Sequence, residues 1–141
     1  MKIIIFVIML FAIIGLLLLL SLQFPIKEEY NYYKNVNNYV YASGQLDNYR
    51  FYEDSLYISI NDLNYEFSRN KFRLEGENVN LLKHRGFEQY MTPNVNIEIA
   101  TAPRYFGNGY KMQIVALSID GYTLLEFEEG YDNLMDWYEN Q

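Results

Sequence analysis

Residues 76–87 read GENVNLLKHRGF, and this stretch decides how the rest of the chain is arranged. Asn78 can cap a short helix, and Gly86 is the residue type favoured just past a helix end. Val79 and Leu82 are spaced so that both point inward from one helical face. The segments on either side alternate like strands. The sequence therefore predicts one short helix inserted between strands.

Alternating apolar and polar residues predict three strands before this helix. The first covers residues 36–46 and the second residues 56–60, and each keeps its aliphatic side chains on one face. The opposite face carries Tyr39, Tyr41 and Tyr57. The segment NDLN at residues 61–64 is expected to turn the chain into a third strand at residues 65–68. One face of this sheet is therefore core, and the other packs a helix or meets another molecule.

Two or three strands are predicted after the helix, over residues 95–102, 111–119 and 122–127. The last two are joined through Asp120-Gly121, a strong two-residue hairpin signal. The strand at 111–119 is apolar on both faces. One face carries Val115, Leu117 and Ile119, and the other carries Met112 and Ile114. We expect a helix to cover its second face.

That helix is predicted at the C-terminus. Tyr131, Leu134, Met135 and Tyr138 recur at i, i+3, i+4 and i+7, which is the spacing of an amphipathic helix. Asp132 would lie in its first turn, where a negative charge is favoured by the helix dipole.

The order of these elements resembles the layout of an OB-fold, a small Greek-key barrel with a helix between its third and fourth strands. The resemblance is one of topology, and no family motif accompanies it. We expect residues 36–141 to form one β-rich α+β domain, since a stretch of this length supports a single core. The domain is predicted as a five- or six-stranded OB-like barrel or a rolled antiparallel sheet, with one inserted short helix and a C-terminal helix.

The N-terminal segment has the length and composition of a transmembrane helix. No charged residue lies between Lys2 and Lys27, and residues 3–24 as helix would span about 33 Å against roughly 30 Å of bilayer hydrocarbon. A cleaved secretory signal is the competing interpretation, but its apolar region is shorter and ends in small residues. We therefore expect a signal-anchor helix at residues 1–24, ended by Pro25.

Residues 25–35 read PIKEEYNYYKN and are predicted as a polar, Tyr-rich linker, with Tyr30, Tyr32 and Tyr33 at the level of the lipid headgroups. Positive charges on the two sides of the span are nearly balanced, and the short N-terminal tail favours an extracytoplasmic C-terminal domain. Beyond the span, 18 acidic residues against 10 basic ones (11 minus Lys2) give a net charge of minus 8. This balance argues against binding nucleic acid.

Residues 102–111 read APRYFGNGYK and join two predicted strands. A phosphate-binding glycine loop is followed by a helix, whereas a strand follows here. Asn108-Gly109 is therefore expected to form a turn at positive φ. The loop carries large side chains, namely Arg104, Tyr105, Phe106, Tyr110 and Lys111. Either they contact a partner, or Phe106 packs on the core while the cations pair with carboxylates.

The chain has few of the residue types that usually act in catalysis. The chain has no cysteine and one histidine, His84, which excludes a cysteine nucleophile and a zinc site built from Cys and His. Four carboxylates surround Gly130: Glu126, Glu128, Glu129 and Asp132. Two of them could act as acid and base or bind calcium, but their spacing matches no EF-hand loop. We expect a solvated helix start, no cofactor and no metal.

All 15 tyrosines lie beyond the apolar segment, and Tyr is enriched where proteins bind partners. The abundance of Asn, Ile, Tyr and Lys is also typical of AT-rich bacterial genomes, and Tyr suits strands in any case. The leading hypothesis is a membrane-tethered, non-enzymatic binding or accessory module that presents a small barrel to a protein or peptide partner. An envelope accessory, immunity or exclusion role would suit it.

The candidate partner contacts are Tyr39, Tyr41, Tyr57, Arg104, Tyr105, Tyr110 and Lys111. Two other hypotheses stay open from the sequence. The first is a membrane-associated enzyme that uses the acidic residues near Gly130. The second is a cytoplasm-facing ligand sensor whose membrane helix acts as the effector.

Overall fold

The structure, a computed structural model, describes residues 2–106 and 112–141, and the side chains of all of these except residues 22–26. Its helices and strands in chain order are α1 (Lys2–Lys34), β1 (Val40–Tyr52), β2 (Ser55–Asn61), β3 (Lys71–Leu74), α2 (Glu77–His84), β4 (Asn96–Thr101), β5 (Met112–Ile119), β6 (Tyr122–Leu125) and α3 (Phe127–Glu139). Short 3₁₀ helices lie at Val36–Asn38 and Phe87–Gln89.

Five of the strands close into a barrel. β1 pairs antiparallel with β2 and β4, β2 with β3, and β4 with β5, while a parallel pairing of β3 with β5 closes the ring. β6 adds a sixth strand beside β5, and α2 follows β3 in the chain. The predicted β-rich barrel with an inserted helix and a C-terminal helix is confirmed. The alternative of a rolled antiparallel sheet is wrong, because β3 and β5 are parallel.

The barrel interior is filled by aliphatic and aromatic side chains from the strands and α2. Val79 and Leu82 of α2 point into this core, as their spacing predicts. Phe87 follows α2 and packs edge-on against the rings of Tyr49 and Phe51 from β1, at centroid distances of 5.9 and 5.5 Å. Helix and barrel therefore share one core.

A bulge in β5 changes which of its side chains face the interior. The register with β4 skips Val115, which is the extra residue on β5. Ile114 before it and Leu117 after it both join the barrel core, whereas Val115 belongs to a second apolar cluster under α3. The prediction that Val115 shares a face with Leu117 and Ile119 is therefore wrong. The prediction that the C-terminal helix covers the outer face of this strand is confirmed.

The third strand lies at Lys71–Leu74 and not at the predicted residues 65–68. Phe72 of this strand is fully buried, whereas Tyr65 stays 38% exposed in the preceding loop. Phe67 packs from that loop against the Phe72 ring, with the centroids 5.3 Å apart. Both segments alternate polar side chains with aromatic or aliphatic ones, but only the second pairs with β2.

α1 begins in the apolar segment and continues without a break to Lys34. Its part Lys2–Ser21 has a mean hydropathy of 3.5 and is long and apolar enough to cross a membrane, a test of length and composition that a signal sequence also passes. The prediction that Pro25 ends the helix is wrong. A proline removes one intrahelical hydrogen bond, and here the turns that follow it are held by contacts with the barrel. Residues 25–35 are therefore largely a helical extension instead of an irregular linker.

α2 and α3 are joined by a buried asparagine. Asn78 is not the predicted N-cap, since α2 begins after Gly76. Its side-chain amide donates to the Gly130 carbonyl at 2.8 Å, and its side-chain oxygen accepts a hydrogen bond from the Asn133 amide at 3.1 Å. Asn78 thus gives the Gly130 carbonyl a hydrogen bond in addition to its place in the helix, and it ties α2 to α3.

Two predicted turns are confirmed by their backbone angles. Gly86 has a φ of 68° directly after the end of α2, which is the left-handed conformation expected there. Asp120 and Gly121 have φ values of 47° and 82° and connect β5 to β6 as a two-residue hairpin turn.

Candidate functional site

The C-terminal end of α1 is bonded to the domain through its last carbonyl groups. A helix end leaves such groups without intrahelical partners. Three side chains supply donors to them: the Asn38 amide to Tyr32 at 2.9 Å, the Tyr39 hydroxyl to Tyr33 at 2.8 Å, and the Tyr131 hydroxyl to Lys34 at 2.6 Å. These bonds fix the position of the helix end on the barrel.

Aromatic side chains surround this helix end. Tyr33 is fully buried, and its ring stacks on Tyr138 of α3 at a centroid distance of 6.0 Å. Tyr30 also contacts Tyr138, and Tyr32 packs edge-on against Phe106 at 5.5 Å. The predicted position of these tyrosines among lipid headgroups is wrong for Tyr33, because the barrel domain encloses it.

Buried charges lie under the same helix end. Arg73 of β3 is 7% exposed and contacts two carboxylates, Glu75 at 2.7 Å and Glu29 of α1 at 3.8 Å. Glu29 accepts a 2.6 Å hydrogen bond from the Tyr138 hydroxyl, and Glu75 accepts one from Ser55 at 2.6 Å. Burial raises the pKa of Glu75, although Arg73 and Ser55 oppose this shift. Burying these charges is costly unless every one is bonded, as it is here.

Gln113 of β5 contacts both Tyr33 of α1 and Arg73 of β3. Its backbone N–H donates to the Tyr33 hydroxyl oxygen at 2.9 Å. The side-chain amide is oriented so that its nitrogen donates to the Arg73 carbonyl at 3.2 Å. Its oxygen then accepts two hydrogen bonds from the Arg73 guanidinium, at 2.8 and 3.1 Å. Burial raises the pKa of the Tyr33 hydroxyl well above its ordinary value, so Tyr33 stays protonated. We call the set Glu29, Tyr33, Arg73, Glu75, Gln113 and Tyr138 the junction network.

A second polar feature lies on the outer face of β1, β2 and β3. The register places two rows of side chains side by side across these strands: Asn48, Ser59 and Lys71 in one, and Arg50, Tyr57 and Arg73 in the other. Neighbouring side chains within a row are about 5 Å apart. Most of these residues line a groove of about 560 Å³ that also includes Asp47, Tyr49, Ile58 and Asn70. The Arg50 guanidinium lies 5.7 Å from the Tyr57 ring centroid.

Two of the cations that line the groove form no salt bridge with a described carboxylate. Arg73, Arg85 and Arg104 each have a carboxylate within 4 Å. Within residues 2–106 and 112–141, no such carboxylate lies near the charged nitrogens of Arg50 or Lys71. The groove therefore holds two exposed cations that form no salt bridge within the described residues, although Asp47 also lines it. An anionic group of a ligand could pair with both.

Comparison with known protein families, with curated proteins and with solved structures finds no match for this chain. The junction network was not predicted from the sequence, because Glu29 and Arg73 are 44 residues apart (73 minus 29) and only the fold brings them together. The groove was missed because Arg50 and Lys71 lie on separate strands. Of the residues in the groove, only Tyr57 is predicted from the sequence as a partner contact.

The predicted contact residues do not form one surface. Tyr39 is half-buried in the helix junction, and Tyr41 is 70% exposed beside Phe127. Tyr57 on β2 pairs with Arg50 on β1. Arg50 is nine residues further along β1 than Tyr41 (50 minus 41), so the two positions are roughly 30 Å apart along the strand. Tyr39 and Tyr57 therefore lie in separate regions of the outer face of the barrel.

The loop residues after β4 pack onto the end of α1. Arg104 pairs with Glu28 of α1, and its guanidinium lies 4.6 Å from the Phe106 ring centroid. Phe106 joins the outer apolar cluster, and Tyr105 lies under the Arg69 guanidinium at 4.3 Å. The expectation that Phe106 packs on the core and Arg104 pairs with a carboxylate is confirmed. Residues 107–111 lie outside the described residues. They include the predicted turn and two of the candidate contacts, Tyr110 and Lys111.

The acidic residues around Gly130 start α3. The helix begins at Phe127, so its first turn contains Glu128 and Glu129, and the prediction that Asp132 lies there is wrong. Glu129 forms two hydrogen bonds to Arg85, each 2.8 Å long, which lower its pKa. Arg85 also donates to the Leu124 carbonyl of β6 at 2.8 Å. In the described part of the chain, no three His, Asp or Glu side chains are grouped as metal ligands.

Proposed function

We propose that this chain is a membrane-tethered, non-enzymatic binding module, in which α1 crosses the membrane and an OB-like barrel receives a segment of a protein or peptide partner. The observation that carries the binding role is the groove on β1, β2 and β3. Its two exposed cations, Arg50 and Lys71, flank Tyr57 in a domain of net charge minus 8. Tyr offers a large contact area at low entropic cost, and Arg and Lys pair with carboxylates.

The apolar part of α1 supports the tether. Its large side chains from Ile3 to Leu20 are exposed and contact no part of the barrel core. In water this surface would cost about 25 cal/mol per Å², and lipid removes that cost. The helix continues into the residues bonded to the barrel, and no pair of small residues near its apolar end supplies a signal-peptide cleavage site. These features favour an uncleaved anchor.

The binding role is tested by cross-linking in intact membranes followed by quantification of the captured partner. Tyr57→Ser and Arg50→Gln should each reduce capture about ten-fold or more, since they remove central contacts of the groove. Tyr122→Ser is the matched control, because Tyr122 is 62% exposed on β6, away from the groove. Equal capture by all three variants would remove the groove from the site. Absence of any captured protein in the parent chain would refute the binding role itself.

The tether is tested separately. We propose that the barrel lies outside the cytoplasm, as the short N-terminal tail favours. A tag placed after Gln141 should then be cut by protease added to intact cells or, in a cell with two membranes, after removal of the outer one alone. Protection that persists until the inner membrane is permeabilised would place the barrel in the cytoplasm.

A further inference from the structure

The seam of the barrel is the parallel pairing of β3 with β5. Within residues 2–106 and 112–141, β3 and β5 are in register at two positions, Phe72 with Met112 and Arg73 with Gln113, whereas β1 and β2 are in register at seven. Parallel pairing is also slightly less stable per residue than antiparallel pairing. Among the described residues this seam is therefore shorter than the pairing of β1 with β2, and it pairs its strands in the weaker, parallel way.

Both strands of the seam are held by the same face of α1. Glu29 contacts the guanidinium of Arg73 on β3 and accepts a hydrogen bond from Tyr138. Tyr33 lies four residues later, one turn along the helix, and its hydroxyl accepts the backbone N–H of Gln113 on β5. One helical face thus forms an ion pair with Arg73 and a hydrogen bond with Gln113, the two residues that pair with each other across the seam.

The chemistry of these contacts suits a reversible junction. Arg73 keeps Glu75 as a partner at 2.7 Å if Glu29 moves away, so it is not left as an unpaired charge. Glu29 can be rehydrated when it is exposed, unlike an apolar side chain. A buried ionic contact contributes less to net stability than well-packed apolar residues of similar volume, and its best-attested use is to specify or switch an arrangement.

We infer that the last turns of α1 are a latch on the barrel seam, so that displacement of this helix from the barrel loosens the pairing of β3 with β5 while β1 and β2 stay paired. The position of the anchor would then control whether the barrel is fully closed. Because Lys71 of the groove is on β3, the latch would also link the anchor to the groove. The inference concerns barrel closure and does not depend on the groove binding a partner.

The test is amide hydrogen exchange of the full chain in detergent micelles or nanodiscs. In Glu29→Gln and in Tyr33→Phe, amides of residues 71–74 and 112–114 should exchange about ten-fold faster than in the parent chain, because each change removes one bond of the latch. Amides of residues 56–60 that bond to β1 should keep their rates. Glu28→Gln is the matched control. It makes the same change of charge one residue earlier, in an exposed pair with Arg104.

Two results would overturn the latch. If seam amides exchange no faster in Glu29→Gln and Tyr33→Phe than in Glu28→Gln, α1 does not hold the seam. If exchange rises equally in β1, β2 and the seam, the junction network supports global stability and the seam does not open by itself. A rise confined to β3 and β5 in both variants establishes the latch.

Discussion

Replacing Gly130 with Ala should destabilise the domain, although the same change in an exposed helix interior stabilises a protein by about 1 kcal/mol. Gly130 lies in α3 directly over the bulge of β5. A Cβ at this position would lie 1.9 Å from the Val115 carbonyl oxygen and 2.7 Å from its carbon. Both are backbone atoms, so no rotamer change relieves the contact. The helix must move away by roughly 1.4 Å to restore an ordinary separation of about 3.3 Å.

The cost of that movement exceeds the gain in helix propensity. Overpacking costs about 1–3 kcal/mol and more where backbone must shift. Here the movement also loosens Leu134 and Tyr138 in the outer apolar cluster. We expect a net loss of about 2–4 kcal/mol, or a Tm lower by roughly 10–20 °C in a domain of this size. Thermal and urea unfolding of the full chain in detergent measure it.

The control for this prediction is Asp132→Ala on the exposed side of the same helix. It should change the free energy of unfolding by no more than about 0.5 kcal/mol. If Gly130→Ala is neutral or stabilising while this control behaves as expected, α3 does not approach the bulge as closely as described, and the packing of the outer cluster must be different.

Three further predictions test the helix contacts. Asn78→Ala should cost about 2 kcal/mol, because it removes two buried hydrogen bonds, one to the Gly130 carbonyl and one from the Asn133 amide. Urea unfolding measures it, and a loss below about 0.5 kcal/mol would contradict these bonds. Tyr131→Phe should cost about 1 kcal/mol by removing the donor to the Lys34 carbonyl at the end of α1, and unchanged urea unfolding would mean that this bond contributes nothing. Glu129→Gln should lower stability at neutral pH and converge with the parent in acid. A carboxyl whose pKa is lowered on folding stabilises the fold above its unfolded pKa, and this contribution is lost as pH falls through the lowered, folded pKa. Parallel pH–stability curves for the two proteins would refute this.

The strand and helix periods predicted the barrel because most elements have one apolar face. They failed where local geometry interrupts the period. The bulge at Val115 reverses the alternation in mid-strand, and nothing in the residue types of β5 announces it. Residues 65–68 and Lys71–Leu74 are two candidates for one strand, and pairing with β2 chooses between them. Periodicity reports which segments are apolar, and tertiary pairing decides the register.

The end of α1 was predicted wrongly for a related reason. Pro25 is a sound local signal for the end of a helix, but the energy that maintains the helix beyond it comes from distant residues. Tyr39 and Tyr131 cap carbonyl groups of the last turn, and Glu29 and Tyr33 bond to residues on β3 and β5 or to Tyr138. None of these partners is identifiable from the segment itself. The abundance of Tyr predicts contact surfaces, but it does not indicate that tyrosines bond a helix end to a barrel.

The length of the helical extension limits where a partner can be found. Ser21 ends the apolar part of α1, and Glu29 is the first residue of the junction network. The eight residue steps from Ser21 to Glu29 (29 minus 21) rise about 12 Å as helix. In the proposed arrangement the headgroup layer accounts for about 5–8 Å of that rise. Since the helix end is bonded to the barrel, the domain cannot search a large volume as it would on a flexible linker. The groove would therefore meet only partners that lie at the membrane surface, and detaching the barrel from α1 should weaken capture even when the groove itself is unchanged.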